Sequence, residues 1–322
     1  MTELPIRASG LTKTFGGRHG DPVLALVDLD LAVEAGEVFG FLGPNGAGKT
    51  TAIRTFLNFL RPTRGQAEIF GLAAQHDSVA IRRHVGYVPG EFEMYPKLTG
   101  AEVLRYFANL RGGVDEQYVA ELADRLDADL GKAMRDYSTG NRQKICLIQA
   151  FMNRPDLLIL DEPSTGLDPL MQKELQSMIA EVRDEGRTVF LSSHSLSEVQ
   201  HVADRVGILR AGRLIEVARV AELMHMAVRQ LEFDFAESVP DQAFAQIAHV
   251  QRVEASGSVT RVWFDGPISD LLRVALAHDV LDVKSHEADL EEIFLTYYRE
   301  PGDPADTSGV DGVEAPIGAD QS

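Results

Sequence analysis

Residues 39–51, FGFLGPNGAGKTT, decide how the rest of the chain is read. Their core, Gly43-Pro44-Asn45-Gly46-Ala47-Gly48-Lys49-Thr50, fills every fixed position of the phosphate-loop pattern G-x-x-x-x-G-K-[ST]. Val38, Phe39, Phe41 and Leu42 ahead of it read as a short buried strand. Ala52 to Leu57 behind it have helical spacing. Strand, glycine-rich turn and helix are the context that such a loop requires. The physics is that of an anion cradle. Glycines let backbone N–H groups turn inward without Cβ clashes, and the following helix contributes the positive end of its dipole. Gly43 through Thr50, with Thr51 after them, are therefore predicted to wrap a nucleotide's phosphates. Lys49 would reach the β- and γ-phosphates, and the Thr50 hydroxyl would ligate Mg²⁺. A chance glycine-rich turn is the bland alternative, and the correct flanks weigh against it.

The chain has 322 residues, enough for a substantial core and about two domains. Hydrophobic content of 44% and charged content of 25% are those of an ordinary globular protein. The net charge of −18 argues against a nucleic-acid partner, which would want a basic surface. The single cysteine, Cys146, has no internal disulfide partner, which fits a reducing compartment. Met1 to Pro5 begins no secretory leader, and no apolar run approaches the roughly 18 residues of a membrane helix. The expectation is a chain that does not itself span a membrane.

Outward from the loop, periods of two and of 3.6 alternate. Ile6–Phe15, Val27–Val33, Gln66–Gly71, Val85–Pro89, Thr188–Leu191 and Val206–Leu209 read as strands; Ala80–His84, 170–185 and 195–203 read as helices. Thr99 to Met134 reads as helix throughout, and a second helix starts near Ser138 and runs through Phe151. The pattern predicts an α/β core over 1–220 with a helical insert at about 92–150. Composition shifts after Val220. Residues 221–299, with strand-like 231–235 and 262–264 and helices around 239–248 and 269–277, are expected to form a small α+β domain. Residues 300–322 carry six acidic residues and no Lys or Arg, and read as a disordered tail.

Leu157-Leu158-Ile159-Leu160 is fully apolar, as a strand buried on both faces requires, and it ends in Asp161-Glu162. Strand alternation would turn these carboxylates to opposite sides. Asp161 is predicted to hold Mg²⁺ through water and Glu162 to polarise the attacking water as general base. A helix start at Pro163 is the plain alternative.

Further on come Tyr137-Ser138-Thr139-Gly140-Asn141, Gly166-Leu167-Asp168-Pro169 and Ser192-Ser193-His194. With the phosphate loop and the LLILDEP strand these stand in the order found in ATP-binding-cassette (ABC) transporters. Residues 4–220 resemble the nucleotide-binding subunit of that family. Residues 221–298, ending in EEIFLTYY, resemble more weakly the accessory C-terminal domain of drug- and antibiotic-exporting members. The resemblance implies a P-loop ATPase that binds ATP and Mg²⁺ and pairs with a second copy of itself. Each ATP would lie between the phosphate loop of one subunit and Ser138 and Gly140 of the other. It also implies that Phe15 stacks on adenine, Asp168 contacts the other subunit and His194 senses the γ-phosphate. The plain alternatives are a buried strand aromatic, an Asp-Pro turn and a surface histidine. A separate membrane-spanning permease, docked through 91–110, would export a drug, antibiotic or lipid-like compound. That places the chain peripherally on the cytoplasmic face of the plasma membrane.

Two positions depart from the family. Thr139 stands where the signature has its first glycine, with Asn141 in place of Gln. Gly90 stands where a glutamine should ligand Mg²⁺, so Glu91 or water is expected to take that place. Two rivals stay open: a cassette ATPase for nucleic-acid or ribosome work, and a slow nucleotide-dependent regulator. The single phosphate loop and the acidity disfavour the first.

Overall fold

The computed structural model describes residues 3–16, 21–90, 95–226 and 229–286. In chain order these form β1 (Ile6–Gly16), β2 (Pro22–Val33), β3 (Val38–Leu42), α1 (Lys49–Phe56), β4 (Arg64–Ile69), β5 (Leu72–Ala73), α2 (Ser78–His84) and β6 (Val85–Val88). The helical insert follows with α3 (Gly100–Leu110), α4 (Glu116–Arg125) and α5 (Thr139–Phe151). Next are β7 (Leu157–Asp161), α6 (Pro169–Asp184), β8 (Thr188–Ser193), α7 (Leu196–Val199), β9 (Arg205–Arg210), β10 (Arg213–Arg219) and α8 (Val220–Met226). The last described part holds β11 (Arg229–Phe235), α9 (Gln242–Ala245), β12 (Val250–Ser256), β13 (Val259–Phe264), α10 (Ser269–Ala277) and β14 (Val280–His286).

The central sheet runs β10-β9-β3-β8-β7-β6, parallel except for β9 against β10. Its inner strands β3, β8 and β7 are buried on both faces, and alternation divides the core between them. Val38, Leu42, Leu158, Leu160, Val189 and Leu191 point to the side of the insert and α6. Phe39, Phe41, Leu157, Ile159 and Phe190 point to α1 and the antiparallel sheet β2-β1-β4-β5. That second face is aromatic: Phe39 stacks on Phe190 at 5.8 Å, Phe41 lies 5.3 Å from it, and Phe56 of α1 meets it edge-on.

The insert is not helical throughout from Thr99 to Met134. A capping box between Thr99 and Glu102 opens α3, and Gly112 and Gly113, both at positive φ, end it. Asp115 then caps α4, and Asp127 at φ +45° follows its end. Residues 127–133 form no helix. They turn back along the start of α3, where Ala101 N–H donates to Leu130 O (3.0 Å) and Thr99 bridges Ala133. Arg125 fastens α4 to α6 through Glu174 and both carboxylate oxygens of Glu181, each at 2.7 Å.

Elsewhere the expected helix 195–203 contracts to α7 and that at 239–248 to α9. Val220 and Leu223 of α8 belong to the core on the insert side. The sheet β12-β13-β11-β14 has its own cluster, built on Leu231, Phe233, Phe235, Phe244, Val262, Phe264 and Leu271. The expected EEIFLTYY element, the 300–322 tail and Glu91 lie outside the described residues. Among the described residues no helix is long and apolar enough to cross a membrane.

Cys146 is fully buried in α5, and burial pushes its thiol well above the ordinary range. A thiol reagent at neutral pH is therefore expected to leave the folded protein unlabelled and to titrate one thiol in denaturant. Rapid native labelling would contradict this packing.

Candidate functional site

Parallel pairing brings the carboxyl ends of three strands to one edge. Leu42 lies beside Ser193 and Asp161 beside Ser192, so the turns leaving β3, β7 and β8 adjoin one another. Such an edge is where open α/β sheets present their ligand sites. The glycine-rich turn leaves β3 with Ala47 N–H donating to Pro44 O (3.1 Å) and Gly212 N–H donating to Ala47 O (2.9 Å). Gly48 is the N-cap of α1 at φ +114°, and a Cβ there would fall 2.5 Å from Ala25 O. Only glycine fits. No side chain caps α1, so the first-turn N–H groups of Lys49, Thr50 and Thr51 are presented as an anion site requires. Gly43, Ala47, Gly48 and Lys49 are buried, whereas Pro44, Asn45 and Gly46 form the exposed crest.

Lys49 is only 5% exposed. Its Nζ donates to Gly43 O and Pro44 O and lies 3.1 Å from Glu162 Oε1. The other oxygen, Oε2, is 2.6 Å from His194 Nδ1. The sequence-predicted cation, base and histidine thus stand in one row. Alternation along β7 is not what separates Glu162 from Asp161. The strand ends at Asp161, and Glu162 adopts a left-handed φ of +50°, with its N–H directed to Ser192 O (3.1 Å) and Ser192 Oγ (3.2 Å). No helix starts at Pro163; α6 begins six residues on, at Pro169.

Asp161 is fully buried. Ser192 Oγ donates to its Oδ1 at 2.5 Å, and its Oδ2 has no hydrogen-bond partner. A Cβ built on Gly90 would lie 3.3 Å from that oxygen. Nearby, burial and the Asp161 charge push the Tyr87 hydroxyl up to about 12. A buried carboxylate oxygen without a donor is what a hard cation takes up. Among the described residues no group of three or more His, Cys, Asp or Glu could hold a metal alone. The buried oxygen therefore fits a cation such as Mg²⁺, which keeps several waters and needs few protein ligands.

The other predicted residues lie around α5. Ser138 caps this helix, its Oγ accepting from Asn141 N–H at 3.2 Å. A cleft of about 750 Å³ is lined by Ser138, Thr139, Gly140, Lys132, Lys144 and Asp168, among others. Thr139 is exposed, with its methyl against Gly166, and a Cβ on Gly140 would fall 2.6 Å from Gly166 O. Asn141 does not face the cleft alone: its amide clasps Asp129 through both N–H (3.0 Å) and C=O (2.9 Å). Asp168 caps α6, accepting from Leu170 and Met171 N–H at 3.0 Å each. Phe15 is 37% exposed with Lys13 Nζ 5.0 Å from its ring centre, so it is not a buried strand aromatic. Sequence reasoning passed over the part played by Ser192 and all of Gln143. Gln143 left one trace, a polar residue just before the apolar run Ile145-Cys146-Leu147-Ile148.

Comparison with known proteins agrees with this geometry. The family model described as ABC transporter matches residues 26–165. The bacitracin transport ATP-binding protein BcrA of Enterococcus faecalis is 31% identical over 301 residues, covering 91% of this chain and 96% of the relative. Its namesake in Bacillus licheniformis is 33% identical over 302 residues, covering 90% and 96%. A solved ATP-binding subunit of an ABC transporter superposes with a TM-score of 0.61 at 28% identity, over 69% of this chain and 92% of that one.

Proposed function

This chain belongs to the ATP-binding proteins of ABC transporters, and from that membership we propose that it hydrolyses ATP to drive export through a separate membrane-spanning permease. The observation that carries the reading is the row formed by Lys49, Glu162 and His194 beside the phosphate loop. Lys49 and the first-turn amides of α1 bind the phosphates. Thr50 and Asp161 would hold Mg²⁺, which would neutralise charge on the phosphate oxygens. Glu162 takes the proton of the attacking water as general base, and His194, on its second oxygen, orients it. Phe15 offers an exposed ring for the adenine.

The working unit is a pair of these chains. Ser138 and Gly140 of one subunit close on the nucleotide held by the other, with the α5 dipole directed at the γ-phosphate. Asp168 lies on the same face. Residues 1–220 form the ATPase, with α8 packed onto it through Val220 and Leu223, and the 91–110 region is the surface that docks on the permease. The bacitracin-transport relatives, which align over nearly their whole length, favour the antibiotic among the expected drug, antibiotic or lipid-like cargoes. The chain then sits peripherally on the inner face of the membrane.

The reading is tested by phosphate release from ATP. Turnover is expected with Mg²⁺ and a loss of at least about 100-fold when the cation is chelated, since the metal's charge stabilisation is several kcal/mol. Cation-independent turnover, or none with Mg²⁺ and the permease present, would overturn it.

A further inference from the structure

Glu162 holds an unfavourable left-handed φ, a conformation that persists only where its surroundings over-determine it. On one side its N–H is held by Ser192. On the other side the next residue, Pro163, has no N–H, so the peptide joining them is held only through Glu162 O, which accepts from Thr165 N–H at 3.2 Å. Gln143 holds the peptide after it. The side chain is 8% exposed, and its Nε2 donates to Pro163 O at 2.8 Å in the interior. Gln143 belongs to α5, the helix that begins at Ser138 and Gly140. Gly140, three residues earlier and so on the same helix face, rests against Gly166 of the same loop. The segment from Glu162 to Gly166 therefore lies along one face of α5, fixed at Pro163 by an amide and at Gly166 by close approach.

We infer that Gln143 is a positioning residue for ATP turnover: it holds Glu162 in place from the helix that faces the other subunit's nucleotide. The inference rests on the proposed role of Glu162 as general base. Its consequence is that closure of a partner on Ser138 and Gly140 acts on the base of the subunit's own site, because α5 and Glu162 move together.

Gln143→Met keeps the length of the side chain and removes the donor. Turnover is expected to fall about 10- to 100-fold, the range expected for a misplaced catalytic group, while ATP affinity from nucleotide titration stays within about twofold. The amides of Thr165 and Leu167, which donate to Glu162 O and Ser164 O, are expected to exchange hydrogen about tenfold faster without nucleotide. Added to Glu162→Gln, the same substitution should lower the residual turnover by less than about twofold, because Gln143 acts through the group already removed. Unchanged turnover, unchanged exchange, or a full second loss in the Glu162→Gln background would each overturn the inference. Gln143→Leu provides the same comparison if the methionine variant misfolds. Absence of turnover in the unsubstituted chain would instead sink the functional reading, and the exchange comparison would still decide whether Gln143 holds the loop.

Discussion

Substituting glutamine for Glu162 is expected to cut ATP turnover by about two to four orders of magnitude, the usual worth of a positioned general base. Glutamine keeps the shape and can still meet His194, but it cannot take up a proton at neutral pH. It also removes the charge that competes with phosphate for the Lys49 ammonium 3.1 Å away. Binding should therefore survive or tighten, and ATP-bound dimers should accumulate. Size-exclusion chromatography with ATP and Mg²⁺ checks the second point and phosphate release the first. Turnover within a few-fold of the native chain would remove Glu162 from the mechanism, and a strictly monomeric variant would remove the sandwich.

Lys49→Ala should fail earlier, at binding. The ammonium is buried with two loop carbonyls and one carboxylate around it, and its loss takes this donor from the carbonyls and from Glu162 Oε1. Hydrogen bonds to charged groups are worth about 1.5–3 kcal/mol, which corresponds to roughly 10- to 100-fold weaker nucleotide binding. Removing a cation aimed at developing phosphate charge costs a further factor of about 10² to 10³ in rate. The expected outcome is no measurable turnover and no ATP-induced dimer. Melting should be followed alongside, because Glu162, left with His194 alone, destabilises the loop as well. Native-like ATP affinity in this variant would place the phosphates elsewhere. The pair of variants is diagnostic: one binds without turning over, and the other does neither.

What could be read in advance was local. The phosphate loop, the apolar strand ending in Asp161 and the serine that opens α5 each advertise themselves by residue type within a few positions. Residues whose partners lie far along the chain gave no such signal. Asn141 reads as a variant signature residue until Asp129 is seen beside it, and Gln143 as an interruption of an apolar face until Pro163 appears. The continuous helix expected from Thr99 to Met134 came from weighing apolar spacing above two adjacent glycines and the acidic caps. Glu162 was placed by strand alternation, whereas a single left-handed backbone angle sets it apart from Asp161.

The two faces of the central sheet also differ in how they are packed. On the phosphate-loop side, close-packed rings lock α1 to β8, and no small displacement of one leaves the others undisturbed. The other side has an apolar core of its own, and there Arg125 to α6 and Gln143 to Pro163 add directional polar bonds that the aromatic side does not use. A push on the helical half would thus reach the loop after β7 as a pull on one named bond, whereas the aromatic half could pass it on only as bulk.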